Sequence, residues 1–243
     1  PATDVVLTVT SDDTSEATVN SPLTFTPANW DTPQIVTVTG ADDDLVDGTI
    51  TSTVTVAVDD VNSSDGFDSL IDQIVSVDTT DDDVAGFTIV ELDGSTEVDE
   101  AGSTDTFTVV LDAQPTSDVV MSTASNDTSE ATTTNTLTFT PSNWDTAQTV
   151  TVTGIDDNII DGTVTSSVVI SIIDANSDDD FDAIADQTVS VDTADNDAPG
   201  FTIEETDAAT EVDESGSTDT FTVVLDAQPT SDVVLTITSD DTG

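Results

Sequence analysis

The chain has 243 residues, 52 aspartates and glutamates and no lysine, arginine or histidine, for a formal net charge of −52. Cysteine and tyrosine are missing too, so disulfides, thiolate metal sites, nucleophilic triads, Schiff bases and phosphate clamps are excluded, and the chain is not expected to be an enzyme. Nucleic acid and direct membrane insertion are poor prospects for such a charge, and no run approaches the length of a membrane span.

A one-sign polyelectrolyte of low hydrophobicity is ordinarily disordered. Here 35% of residues are hydrophobic, and Val, Ile, Leu and Phe alternate with Thr and Ser in short runs while the acids fall between them, the pattern of strands joined by acidic loops. Two carboxylates ~5 Å apart repel by roughly 3 kcal/mol at an effective dielectric near 20. No side-chain cation offsets this, which leaves hard divalent ions with oxygen ligands, calcium above all, as the source of positive charge. A halophile's hydrated acidic surface is the competing account, and it predicts scattered rather than clustered acids.

Taken in order, residues 1–85 read as the back of one repeat, 86–199 as a complete repeat and 200–243 as the front of the next. Leu23–Pro27 and Trp30 return as Leu137–Pro141 and Trp144, each 114 positions later, and Gly102–Val120 recurs unchanged at Gly216–Val234. The acidic knots Asp78–Asp83 and Asp192–Asp197 each run into a Gly-Phe start, Phe87 and Phe201. A period of that length is a domain, not a solenoid turn. Because it opens on Pro1 in mid-repeat, the chain is expected to come from a longer multi-repeat protein; strand exchange between identical chains in a fibre is the other way to complete its partial repeats.

Within 86–199 the alternation predicts seven strands, near 87–91, 104–111, 118–124, 132–140, 148–153, 164–173 and 188–192, and no helix. Phe107, Val109 and Leu111 share one face, and Val150 and Val152 another. Seven short strands punctuated by Gly, Pro, Asn and Asp predict an all-β fold of tandem antiparallel, Ig-like β-sandwiches.

The complete repeat resembles the Calx-beta domain of sodium/calcium exchangers, integrin β4 and large bacterial surface proteins. The resemblance is carried by Phe87-Thr88-Ile89, Val98-Asp99-Glu100-Ala101-Gly102, Phe139-Thr140-Pro141, the strand Val150–Gly154 running into Asp156-Asp157, and Asp195-Asn196-Asp197. It implies a sandwich that binds several calcium ions at one end, with ligands from Glu100, Asp127, Asp156, Asp157, Asp161, Asp195 and Asp197 and help from Asn196. By the same correspondence it implies Asp13, Asp42, Asp43, Asp47, Asp81, Asp82 and Asp83 in the preceding repeat, and Glu214 and Asp241 in the next. The family's later acidic pair is reduced here to Asp161, which implies fewer ions per repeat. Asp195–Pro199 also resembles the calcium linker of cadherins, although the Asp-Arg-Glu those domains need is impossible without arginine.

A second acidic loop, Asp174–Asp182, is left open between a further ion site and ordinary turn residues. Trp30 and Trp144 read as covers over the core edge, with a sugar-stacking platform as the alternative. The expected function is a structural calcium-binding region of a secreted or cell-surface protein, an extended stalk, adhesin extender or filament stiffened by calcium between neighbouring repeats. The alternative is a multivalent adhesion module that binds a glycan or cell-surface protein through its loops and Trp30 or Trp144.

Overall fold

The computed structural model describes residues 1–134 and 136–240, and nearly all its regular structure is β. In chain order the strands are β1 Val5–Ser11, β2 Ala17–Val19, β3 Leu23–Phe25, β4 Val38–Gly40, β5 Ile50–Val58 and β6 Gln73–Thr79, followed by β7 Phe87–Glu91, β8 Thr96–Asp99 and β9 Thr104–Leu111. Then come β10 Val119–Ser125, β11 Ala131–Thr133, β12 Thr136–Phe139, β13 Gln148–Gly154, β14 Val164–Ile172, β15 Gln187–Ala194, β16 Phe201–Glu205 and β17 Phe221–Leu225.

Residues 86–199 make a β-sandwich of two sheets, ordered β12-β10-β14-β15-β8 and β11-β13-β9-β7. Strand alternation sends every second side chain inward. From one sheet come Phe107, Val109, Leu111, Val150 and Val152, and from the other Met121, Phe139, Val168, Ile170 and Val191, all buried in one core. The register opposes Val150 to Phe107 and Gln148 to Val109 across β13 and β9. A slip of one residue would turn that whole face to water.

Three details depart from the seven-strand expectation. The segment read as one strand over 132–140 is two, β11 in one sheet and β12 in the other, because the chain crosses between the sheets here. The short run Thr96–Asp99, not among the expected strands, is β8; it buries Thr96 and Val98 and pairs parallel to β15, so the sandwich is not purely antiparallel. Two single-turn 3-10 helices occupy Asp174–Asn176 and Asp179–Phe181, where no helix was expected.

Residues 1–85 repeat part of this design. The sheet β3-β1-β5-β6 matches β12-β10-β14-β15, and the pair β2-β4 matches β11-β13. Residues 200–240 carry the pair β16-β17, whose register of Phe201 with Leu225 is that of Phe87 with Leu111.

Phe107→Ala should cost about 3–5 kcal/mol by opening a cavity at a fully buried site. A Cβ on Gly154 would lie 2.0 Å from the Asp99 carbonyl oxygen, so Gly154→Ala should cost about 1–3 kcal/mol by pushing β13 off the β8 turn. Denaturant unfolding of residues 1–243 checks both.

Candidate metal centre

Inward positions change character toward one end of the sandwich. Met121 gives way to Thr123 on β10, Val168 to Ser166 on β14 and Val191 to Thr193 on β15, and these hydroxylated residues are still buried. Beyond them lie two glutamates, Glu100 and Glu130, only 1% and 5% exposed. Burial of an ionised carboxylate without a partner is expensive.

Glu100 follows β8 directly. Its amide donates to the Ala194 carbonyl at 3.1 Å, and Gly154 lets the Asp99–Glu100 turn approach β13 so closely that no other residue fits. Its Oε2 accepts from the Asn196 amide at 3.1 Å. Glu130 precedes β11, and its carbonyl accepts from the Ile155 amide at 2.8 Å, bringing the 127–130 turn against the 155–162 loop. Among the described residues, the Glu130 Oε2 and the Asp197 Oδ2 are buried with no hydrogen-bond partner.

Two groups of three carboxylates result. Glu100, Asp157 and Asp197 form one; Glu130, Asp157 and Asp161 form the other. In each, one oxygen per residue lies within 4.8 Å of the others, which is about twice a calcium–oxygen distance of ~2.4 Å. Asp157 belongs to both.

The other expected ligands accept hydrogen bonds within the loops. Asp195 Oδ2 accepts from the Asp161 and Gly162 amides at 3.1 and 2.8 Å, and its Oδ1 accepts from the Asp197 amide at 2.7 Å. Asp156 Oδ1 accepts from Asn196 Nδ2 at 3.2 Å. Asp127 Oδ1 accepts from the Ser129 amide at 3.1 Å, closing the turn that presents Glu130. The sequence reading chose Asp127 and missed Glu130. Asp-Thr-Ser-Glu-Ala-Thr recurs at 13–18 and 127–132, and that recurrence beside a strand start was the available signal.

In residues 1–85 the counterparts sit alike. Glu16 is buried beside Asp43, Asp47, Asp13 and Asp81. Asp81 Oδ2 accepts from the Asp47 and Gly48 amides, and its Oδ1 from the Asp83 amide at 2.8 Å. Asp42 and Asp82 border an open recess of about 450 Å³ with Gly40, Val77 and Thr80. Glu214 is exposed in the 213–216 turn, and Asp241 lies outside the described residues.

The acids sort by what they receive. Burial, then like charge, pushes the Glu16, Glu130, Asp47, Asp83 and Asp197 carboxyls above their ordinary range. Burial raises Glu100 against the opposing bond from Asn196. Asp81 and Asp195 are held low, led by the glycine amides at Gly48 and Gly162, and Asp13 and Asp127 by their serine hydroxyls.

In the second acidic loop, Asp178 is buried and anchors chain instead. Its Oδ2 accepts from Thr116 Oγ1 at 2.6 Å and the Ser117 amide at 2.7 Å. Burial works to raise this carboxyl, but its hydrogen bonds together outweigh that and lower it. Trp144 packs against the core. Trp30 is 62% exposed and borders an apolar recess with Val5, Phe25 and Leu70.

No protein-family model and no curated protein matches the chain. Among solved structures it is similar to domains 4 and 5 of the S-layer protein SbsC, at 16% identity over 77% of this chain and 70% of that one, with a TM-score of 0.36. A structure of SbsC domains 1–6 is 14% identical over 91% of this chain and 28% of that one, TM-score 0.38. An endo-fucoidan hydrolase of glycoside hydrolase family 107 is 13% identical over 79% and 24%, TM-score 0.25. Likenesses of this grade assign no function. Among the described residues no helix is long and apolar enough to cross a membrane.

The carboxyl groups fix a pH response for the chain held with a chelator. Raised carboxyls bind protons more readily folded than unfolded, so stability should rise as pH falls from 7 toward 4.5, the ordinary glutamate value. Below 3.8 the lowered groups Asp81, Asp127 and Asp195 should reverse the trend as they protonate. Thermal unfolding across pH should show that maximum, with a shallower rise for Glu130→Gln.

Proposed function

We propose that the chain is a structural calcium-binding segment of an extracellular or cell-surface protein, in which calcium neutralises the acidic end of each sandwich and stiffens a stalk or filament of tandem repeats. The observation that carries this reading is Glu130: 5% exposed, with one carboxylate oxygen unpartnered and grouped with Asp157 and Asp161, in a chain that has no cationic side chain. A proton or a metal ion is what remains to neutralise it, and near neutral pH a pair of three-carboxylate groups favours the metal.

Glu100, Asp157 and Asp197 would hold one ion and Glu130, Asp157 and Asp161 the other, with Asp195 and Asn196 shaping the loop that presents them. Flexible, oxygen-only sites of this span suit calcium better than the tighter octahedron of magnesium. Extracellular calcium modules commonly work at Kd values of about 10⁻⁴–10⁻³ M, which fits sites partly open to water at Asp161 and Asn196. The resemblance to Calx-beta repeats, carried by the motifs quoted above, points the same way. This reading is a non-catalytic one, in keeping with a chain that has no His, Cys, Lys, Arg or Tyr. The adhesive alternative loses its aromatic platform in the complete repeat, where Trp144 packs against the core.

Calcium should raise the melting temperature of residues 1–243 over that in chelator, and magnesium should raise it less; equal melting curves in calcium and chelator at moderate salt would return the acids to a halophilic surface role. Isothermal titration should show Asp157→Asn losing two ions relative to the parent chain and Glu130→Gln losing one. Glu130→Gln should also melt higher than the parent in chelator, since it removes a buried charge with no partner.

A further inference from the structure

We propose that the acidic loop of each repeat is a two-sided clasp, holding the cation on one edge and the next repeat on the other, so that cation occupancy sets how firmly consecutive repeats are joined. The coupling rests on the calcium reading above; the clasp is seen directly in the backbone. Leu45 forms a parallel bridge with Gln114, and Ile159 forms one with Gln228, each partner lying in the following repeat. At the first junction the Val46 amide donates to the Gln114 carbonyl at 3.0 Å, and the Gln114 amide donates to the Asp44 carbonyl at 2.7 Å. At the second, the Ile160 amide donates to the Gln228 carbonyl at 3.3 Å and the Gln228 amide to the Asn158 carbonyl at 2.6 Å. The same pairing at two junctions, in the same register, marks it as a property of the repeat.

Each clasp has an apolar part as well. Val46 packs against the core of the repeat that follows, and Ile160 borders a recess with Pro199, Phe201, Leu225 and Pro229. The glutamine is held from its own side: Gln114 Nε2 donates to the Pro141 carbonyl at 2.6 Å. Gln114 lies between β9 and β10, at the end of its sandwich opposite to Glu100 and Asp157, so each junction sets the acidic end of one repeat against the far end of the next.

The same short loop carries the acids. Asp157 Oδ1 accepts from the Ile159 amide at 2.6 Å, and the Asp161 and Gly162 amides are held by Asp195 Oδ2. At the earlier junction Asp43 Oδ1 accepts from the Leu45 amide at 2.9 Å, and Asp81 holds Asp47 and Gly48. Positions 157 and 161 face the cation groups while 158 and 160 between them bond the next repeat. An ion drawing Asp157 and Asp161 together fixes the intervening backbone in the conformation that the clasp requires. Without it, mutual repulsion among these carboxylates loosens the same residues.

The test uses residues 1–243 with single cysteines introduced at Thr18 and Val90, one in each of two consecutive repeats; a chain free of cysteine makes both spin labels unique. Calcium should narrow the distance distribution measured by double electron–electron resonance. Two variants break the clasp from opposite sides without touching a carboxylate: Gln114→Pro removes the amide that donates to Asp44, and Val46→Pro the amide that donates to Gln114. Titration calorimetry should find calcium binding retained in both, with the calcium-dependent narrowing lost. Narrowing that survives in both variants would overturn the clasp, as would a parent chain that binds calcium without narrowing. A flat calcium isotherm for the parent would remove the calcium reading itself and the coupling with it, and the calorimetry tells that failure from the others.

Discussion

Everything in this molecule is shaped by one constraint: carboxylates must be buried or crowded without a single cationic side chain to meet them. Proteins ordinarily pair such groups with arginine or lysine. Here the backbone does much of that work. Asp81 and Asp195 each collect three amide bonds, and their carboxyls are held low as a result. Glu130 and Asp197 each keep a buried oxygen that no amide or hydroxyl reaches, and theirs are raised by burial. The acids are thus divided between those that build the loops and those left over; of the latter, Asp182, which also keeps a buried unpartnered oxygen, lies in the 174–182 loop, whereas Glu130 and Asp197 converge at one end of the sandwich. That division is the physical basis for placing a cation there.

The sandwich prepares this end gradually. A core that passed directly from Val and Ile to glutamate would strand two charges against hydrocarbon. Instead Thr123, Ser166 and Thr193 form an intermediate buried layer, and the Thr193 hydroxyl reaches the Glu130 carbonyl at 3.5 Å. The arrangement costs stability in the cation-free chain and gives it back to whatever ion binds, by mass action. Calcium would then be a folding ligand as much as a mechanical one.

Much of this was legible in the residues. The 114-residue period and the alternation that puts Phe107, Val109 and Leu111 inward follow from pattern alone, while the meeting of Asp156-Asp157 with Asp195–Asp197 was implied by the family resemblance. What escaped was non-local. β8 is four residues long and is made a strand by its parallel partner β15, which no local signal announces. β11 and β12 are both drawn from one Thr-rich run, so their assignment to different sheets leaves little mark in composition. Glu130 was passed over for Asp127 because the resemblance named the aspartate; the structure gives Asp127 the turn and Glu130 the buried position. Asp178 errs the other way, an acid in a suggestive cluster whose bonds to Thr116 and Ser117 hold chain to chain.

The duplicated segment separates local from tertiary causes. Gly102–Val120 and Gly216–Val234 are identical, and in both copies the strand that starts near the Phe pairs antiparallel with its Gly-Phe partner in the same register. Even the tight corner is reproduced: the Asp112 and Asp226 amides donate to the Gly86 and Gly200 carbonyls at 2.9 and 3.0 Å, where a Cβ would strike the aspartate side chain at 2.5 and 2.3 Å. Burial is not reproduced, for Phe107 is 0% exposed and Phe221 40%. The Val119–Val120 copy at Val233–Val234 also lies outside any strand, since β10 is defined by β12 and β14 on either side. A two-stranded ribbon and its corner are therefore written in the local sequence, whereas the core, and with it the buried glutamates, exists only where both sheets are present. The candidate cation groups accordingly depend on packing between sheets, not on the acidic loops taken singly.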